Sequence, residues 1–247
     1  MPNKKRIDVL MVERGLSESR EKAKAWIMAG EVKVGDHVVN KASDLFTPDA
    51  LITIKMPDKY VGRGGLKMEC ALDYFKLNPA GWRVLDIGAS TGGFTDCLLQ
   101  RKAAEVVALD VGHGQIHWKI RTDARVKVVE GKNARQLEPG EFGPPFDLVV
   151  MDVSFISQEL IWPRIPAQLK DGGFVITLVK PQFEAGVMEV GKGGIVRDPG
   201  VQQRVVKRIW QVVENEIGLE VKGVTESSIL GKDGNREFLL CATRSKK

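Results

Sequence analysis

The hydrophobic pattern divides the chain into two stretches. The break lies at residues 56–62 (MPDKYVG), where proline, charge and glycine interrupt the apolar positions. Before it, residues 5–15 pattern as a short helix closed by Gly15. A second helix is expected from a cap at Ser17 to about Ala29, followed by Gly30. Ala23, Trp26 and Ile27 recur at helical spacing, while Arg20, Lys22 and Lys24 occupy the other sides. Strand-like pieces follow at 31–34 and 37–39, joined at Gly35-Asp36, with a third at 51–55. Two helices and a tiny sheet in about sixty residues make a marginal core, so this module gains from a partner surface.

After the break, apolar runs at 83–87, 106–109, 126–129, 148–151 and 174–179 alternate with helical stretches such as 94–101 and 159–169. Strands that are apolar almost throughout, separated by helices, belong to a parallel sheet buried on both faces. The longest helix has Asp198 as its cap, Pro199 in its first turn and Gly218 beyond its end. Val201, Val205, Ile209, Val213 and Ile217 recur every fourth residue and form one core-facing stripe. Two last strands are expected at 221–224 and 237–242. The architecture is therefore α/β, a Rossmann-like sheet over residues 62–247 with a small α+β domain over residues 1–61.

Composition narrows the class. Of 247 residues, 43% are hydrophobic and 28% charged, which excludes global disorder. The net charge of +5 permits a polyanion partner without demonstrating one. Cys70, Cys97 and Cys241 form no close pair, so a reducing compartment fits better than a disulfide framework. The purest apolar run, 174–179, is too short to cross a bilayer, and no apolar stretch follows the basic start. A cytoplasmic protein is expected, with no membrane association and no obligate protein partner evident. His113 and His117 are four apart, but two ligands do not make a metal site, and no metal is expected. Trp82, Trp118, Trp162 and Trp210 are expected to be packing residues, and Trp26 to belong to the small core.

The segment from Val84 to Phe94, VLDIGASTGGF, carries the most chemistry. A buried strand ends in Asp86, and a turn containing Gly88, Ala89, Ser90, Gly92 and Gly93 opens a helix at Phe94. In open α/β sheets ligands sit at the carboxyl ends of the strands, and glycines let backbone approach them. The loop by itself also fits a dinucleotide fold or a ligand-free turn. Two details favour S-adenosylmethionine: an anionic Asp86 suits a cationic amino acid–sulfonium ligand, and the glycine spacing is not G-x-G-x-x-G. Asp110 ends the next strand, at about the offset where an acid meets a ribose diol. Asp152 and Lys180 end the apolar runs 148–151 and 174–179, so parallel strands bring both to the cofactor rim. A partly desolvated lysine beside another cation is a candidate base, while a neighbouring carboxylate orients it and opposes its deprotonation. A structural Asp–Lys ion pair is the alternative.

Together, residues 86–96 (DIGASTGGFTD), 110–115 (DVGHGQ) and 180–184 (KPQFE) resemble the TlyA family, ribosomal RNA methyltransferases with an FtsJ-like catalytic domain. Gly62-Arg63-Gly64-Gly65-Leu66-Lys67 resembles another motif of that family. Arg6-Ile7-Asp8, residues 15–20 (GLSESR), Ala23, Ile27, Gly30, Val32 and Val34 resemble the alpha-L RNA-binding module of a small-subunit ribosomal protein. One departure is Val34-Gly35-Asp36, where that module has Val-Asn-Gly. The resemblance covers almost the whole chain. It implies a catalytic tetrad of Lys67, Asp152, Lys180 and Glu237, of which spacing alone would not have picked Lys67 and Glu237. It also implies that Asn133 borders the adenine, and that Arg6, Arg20, Lys22, Lys24, Lys33 and Arg63 face RNA. Basic residues interspersed with Glu18 and Glu21 equally describe a solvated helix face.

The implied reaction moves a methyl group from S-adenosylmethionine to a ribose 2′-hydroxyl, with cytidine as the family's acceptor and ribosomal subunits as partners. Lys180 then accepts the hydroxyl proton, Lys67 disfavours its charge by repulsion, and Asp152 and Glu237 hold the lysines. No metal is needed. The alternatives are a pore former, suggested by the family's label hemolysin A, and an inactive RNA-binding protein, against which the intact tetrad counts.

Overall fold

The computed structural model describes residues 4–55 and 58–245; Met56 and Pro57, where the sequence break begins, lie outside them. The chain forms two compact units, Met1–Lys59 and Tyr60–Lys247.

In the first unit, β1 (Lys5–Arg6) leads into α1 (Ile7–Glu13), followed by α2 (Arg20–Met28), β2 (Val32–Val34), β3 (His37–Val38), β4 (Leu45–Phe46) and β5 (Ile52–Ile54). β1 pairs with β4, and β2 lies between β3 and β5. Gly15 and Gly30 close the helices at φ 68° and 71°. The cap of α2 is Ser19, not Ser17. Ser19 Oγ accepts from Lys22 N at 3.2 Å, whereas Ser17 belongs to the turn that ends α1, its amide donating to the Met11 carbonyl and its hydroxyl to the Ser19 carbonyl. Ile7, Leu10, Met11, Ala23, Ile27 and Val32 fill the core. Trp26 packs only half-buried at its margin, with Lys22 Nζ 5.6 Å from its ring.

The second unit runs α3 (Gly64–Tyr74), β6 (Arg83–Ile87), α4 (Gly93–Gln100), β7 (Glu105–Asp110), α5 (Trp118–Arg121), β8 (Val126–Glu130) and β9 (Phe146–Met151). It continues through β10 (Leu169–Val179), α6 (Pro181–Glu184), α7 (Pro199–Gln211), β11 (Glu220–Glu226) and β12 (Phe238–Thr243). The seven strands are ordered β11-β12-β10-β9-β6-β7-β8, and β12 alone runs against the others. Side chains alternate between faces. Leu85, Ile87, Val107, Leu109, Val149 and Met151 meet the stripe of α7 on one face. Val84, Val106, Ala108, Leu148 and Val150 meet α3 and α4 on the other. The carboxyl ends of β6, β7, β8, β9 and β10 and the amino end of β12 therefore share one edge.

Three expectations are corrected. Residues 159–169 form no α-helix but three single 3-10 turns, Gln158–Leu160, Trp162–Arg164 and Pro166–Gln168, before β10 begins at Leu169. Pro163 and Pro166 lack the amide donors that a continuous helix requires. Trp118 is 71% exposed and packs no core, whereas Trp162 is fully buried. Ile217 is only half-buried, because the helix after α7 widens into a π-turn, Val212–Glu216, ahead of Gly218. The Asp198 cap stands, with Oδ1 accepting from Gly200 N at 2.7 Å.

Candidate active site

The loops at the shared edge enclose a cavity of about 380 Å³. Gly88 leaves β6 at φ +83°, and a Cβ there would lie 2.5 Å from the Asp152 carbonyl oxygen, so only glycine lets the β6 and β9 loops approach this closely. Ser90 follows at φ +50° and donates its amide to Asp110 Oδ2 at 2.7 Å. Asp110 Oδ1 accepts from Gly112 N at 2.7 Å. Each carboxylate oxygen keeps acceptor capacity for a diol. Asn133 lines the same cavity, its side-chain oxygen accepting from Arg135 N at 3.0 Å, and Leu109, Val111, Ile156 and Ile161 supply apolar wall.

Of the cofactor residues expected from sequence, Gly88, Ser90, Asp110, Asn133 and Asp152 line this cavity; Asp86, Ala89, Gly92, Gly93 and Phe94 do not. Asp86 shares the parity of Val84 and points beneath α4, fully buried, where Oδ2 accepts from Thr95 Oγ1 at 2.6 Å and Oδ1 has no hydrogen-bond partner. Burial, then the negative charges of Asp152 and Asp110, push its carboxyl up to about 7 against the opposing Thr95 hydrogen bond. Gly92 sits at the amino end of α4 at φ +94°, while Gly93 and Phe94 turn inward against α3. The Asp110 and Asp152 carboxylates on the cavity wall favour a cation and disfavour a pyrophosphate. With the diol acceptor at Asp110 and the apolar wall, the residues present fit S-adenosylmethionine.

The tetrad residues meet at the rim as two ion pairs. Lys180 Nζ lies 2.6 Å from Asp152 Oδ1 and donates to Ser154 Oγ at 2.8 Å. Lys67, one turn into α3, pairs with Glu237, which also accepts from Gln182 Nε2 at 3.3 Å. The sheet sets this arrangement: Thr177 pairs with Met151 and Val179 with Phe238, so Asp152, Lys180 and Glu237 leave adjacent strands side by side. The start of α3 reaches the same place, since a Cβ on Gly64 would lie 3.9 Å from Asp152 Oδ2. Lys67, Lys180 and Glu237 are buried. Each lysine sits on its own carboxylate, so the repulsion expected from Lys67 on Lys180 is offset by Glu237.

Sequence reasoning missed the groups that frame these pairs. Phe155 holds φ +63°, is 91% exposed and lies 5.1 Å from the Phe183 ring, which is 5.7 Å from Lys180 Nζ. A strained, exposed aromatic three residues past Asp152 is a functional signal that only backbone geometry reveals. Glu184, buried and raised above the usual carboxylate range by desolvation, accepts from Ser157 Oγ, Gln158 N and Arg208, and so pins the loop after Asp152. The motif KPQFE carried that signal, but its partners are remote in sequence.

In the first unit, fully buried Asp8 gathers two expected RNA contacts. Arg6 donates to it at 3.0 and 3.1 Å and Arg20 at 2.9 Å, and these hydrogen bonds hold its carboxyl near about 2. Both guanidiniums remain partly exposed. Lys22 pairs with Glu18, Lys24 is half-buried, and Lys33 is exposed, as is Arg63 in the second unit. His113 and His117 share no helix face: His113 is in a loop and His117 caps α5, its Nδ1 accepting from Lys119 N. Among the described residues no group of three or more His, Cys, Asp or Glu is arranged to hold a metal.

Residues 60–244 match the FtsJ-like methyltransferase model and residues 5–52 the S4 domain. The chain is 42% identical over 242 residues to a Mycobacterium tuberculosis protein named 16S/23S rRNA (cytidine-2'-O)-methyltransferase TlyA, covering 97% of this chain and 90% of that one. It is 41% identical to Hemolysin A of Brachyspira hyodysenteriae, covering 95% and 98%. A solved structure from Streptococcus thermophilus with the hemolysin designation superposes at TM-score 0.74, with 41% identity over 99% of this chain and 90% of that one. An S-adenosylmethionine-dependent methyltransferase from Listeria monocytogenes, at TM-score 0.55 and 18% identity over 75% of this chain and 100% of that one, shares the fold.

Proposed function

This chain belongs to the FtsJ-like methyltransferase family and, within it, to the TlyA proteins; from that premise we propose that it methylates a ribose 2′-hydroxyl of ribosomal RNA, on cytidine, using S-adenosylmethionine. The observation that carries this reading is the pair of buried ion pairs, Lys180–Asp152 and Lys67–Glu237, on the rim of the cavity that Asp110 and Asn133 line.

When bound, S-adenosylmethionine supplies an electrophilic methyl group. Asp110 would accept from the cofactor's ribose, Asn133 would border its base, and the Asp110 and Asp152 carboxylates on the cavity wall would favour its positive charge. Lys180 orients the acceptor hydroxyl and, when neutral, takes its proton. Asp152 and Ser154 fix the Lys180 amine; Glu237 and Gln182 fix Lys67. Phe155 offers its exposed face to the acceptor base. With the hydroxyl held in line, positioning accounts for much of the acceleration.

The first unit serves as the RNA-binding domain. Arg6 and Arg20, presented by Asp8, with Lys22, Lys24 and Lys33, contact phosphates there, and Arg63 does so from the catalytic domain. Ribosomal subunits in the cytoplasm are the substrate in this reading. A pore-forming reading rests on the hemolysin designation; among the described residues no helix is long and apolar enough to cross a membrane.

The test incubates the full chain with methyl-labelled S-adenosylmethionine and ribosomal subunits lacking the modification, then maps the labelled nucleotide. Label in 2′-O-methylcytidine supports the reading. Label on a base, or no transfer, overturns it.

A further inference from the structure

Val187 and Met188 are 90% and 97% exposed, an aliphatic pair held in water at the tip of the segment after α6. The segment is braced. Gly186 N donates to Glu189 Oε2 at 3.0 Å, Glu189 pairs with Arg204 of α7, and Gly191 bridges to Ile195. Its far end is tied to the catalytic edge: Val196 N donates to Asn235 Oδ1 at 3.0 Å, and Asn235 Nδ2 donates to the Gly194 carbonyl at 2.8 Å. Asn235 is buried and stands two residues before Glu237. Val187 also lines a hollow of about 550 Å³ with Phe155, Gln182 and Phe183, residues that flank the two catalytic ion pairs.

What covers the tip follows from charge and from the recess of the site. Glu189 is neutralised by Arg204, and the other charged side chains of residues 185–197 are the exposed Lys192 and Arg197, so the surroundings suit a polyanion. Phosphates gain nothing from aliphatic side chains, whereas base faces do. Lys180 is only 8% exposed, and paired RNA presents its 2′-hydroxyls on a broad, shallow minor groove, a surface that does not enter such a recess. Drawing that nucleotide out leaves a gap in the stack, which apolar side chains such as Met fill in other nucleic-acid-binding proteins.

We propose that Val187 and Met188 form an apolar wedge that enters the base stack beside the acceptor nucleotide and holds that nucleotide extruded towards Lys180. The proposal rests on the RNA-methylation reading above and goes beyond it in assigning the residues that open the RNA.

The test compares wild type, the double variant Val187→Ser/Met188→Ser and the conservative Met188→Leu. Each is assayed for single-turnover methyl transfer to unmodified ribosomal subunits at saturating S-adenosylmethionine and saturating subunits, with cofactor and subunit affinities measured alongside. The wedge predicts that the serine pair transfers about tenfold or more slowly, since the cost of unstacking a base step is no longer offset, while its cofactor affinity is unchanged and Met188→Leu stays near wild type. Wild-type transfer by the serine pair overturns the wedge. So does a loss confined to subunit affinity, which would make the tip a plain contact surface for RNA. Absence of transfer by wild type itself overturns the function reading and the wedge with it.

Discussion

Lys180 Nζ stands 2.6 Å from Asp152 Oδ1, the two residues leaving the carboxyl ends of neighbouring parallel strands. A carboxylate this close orients the amine, which has to be neutral to act as a base towards the acceptor hydroxyl. Lys180→Ala is expected to lower single-turnover transfer by about a hundredfold or more, in the range of general-base contributions, with cofactor and RNA affinity retained. Lys180→Arg should be equally slow, because guanidinium keeps its charge. Near wild-type transfer by the arginine variant would assign Lys180 a purely electrostatic role.

Asp110 binds two loop amides, from Ser90 and Gly112, and faces the cavity with its remaining acceptor capacity. Asp110→Ala strands both amides and removes the diol acceptor. Calorimetric affinity for S-adenosylmethionine should fall by about tenfold to a hundredfold, the cost of one or two hydrogen bonds to a charged group. Unchanged affinity would place the ribose elsewhere.

Asp86 makes a pH prediction with a definite sign. Its folded-state value of about 7 lies above the ordinary 3.8, so the folded chain keeps a proton that the unfolded chain releases. Stability should therefore fall as pH rises from about 4 to about 7, with the penalty complete above that, by at most about 4 kcal/mol. Asp86→Asn keeps an acceptor for Thr95 and removes the charge. Amide hydrogen exchange in β6 and α4 should slow in this variant at pH 8 and match wild type near pH 4. Its cofactor affinity should change by less than about tenfold, because Asp86 reaches no cavity surface.

Asp8 carries the opposite sign. Its carboxyl is held near about 2, chiefly by the Arg6 hydrogen bond, so its stabilisation is present above about 4 and disappears as pH falls through about 2. Asp8→Asn should speed exchange of α1 and α2 amides at pH 7 and remove the acid dependence. If Arg6 and Arg20 contact phosphate, replacing either with alanine should reduce the salt slope of RNA binding by about one unit. An unchanged slope would leave both as structural partners of Asp8.

Much of the protein was legible in its sequence because it rests on local periodicity. Apolar runs broken by glycine turns specify β6 to β10, and strand-end position alone nominated Asp110, Asp152 and Lys180. The Asp198–Pro199 start of α7 is equally local. What the sequence could not decide is which face each strand-end side chain takes and which remote segments meet. Asp86 ends an apolar run as Asp110 does, but its parity turns it under α4, and only the packed sheet reveals this. Lys67 and Glu237 are 170 positions apart, and their pairing depends on α3 docking over β12. Phe155, Val187 and Met188 carry no pattern at all. Their exposure, and the backbone strain at Phe155, arise where loops from different strands converge, and that convergence is a property of the tertiary structure, because contacts between distant segments form only once the sheet order is set.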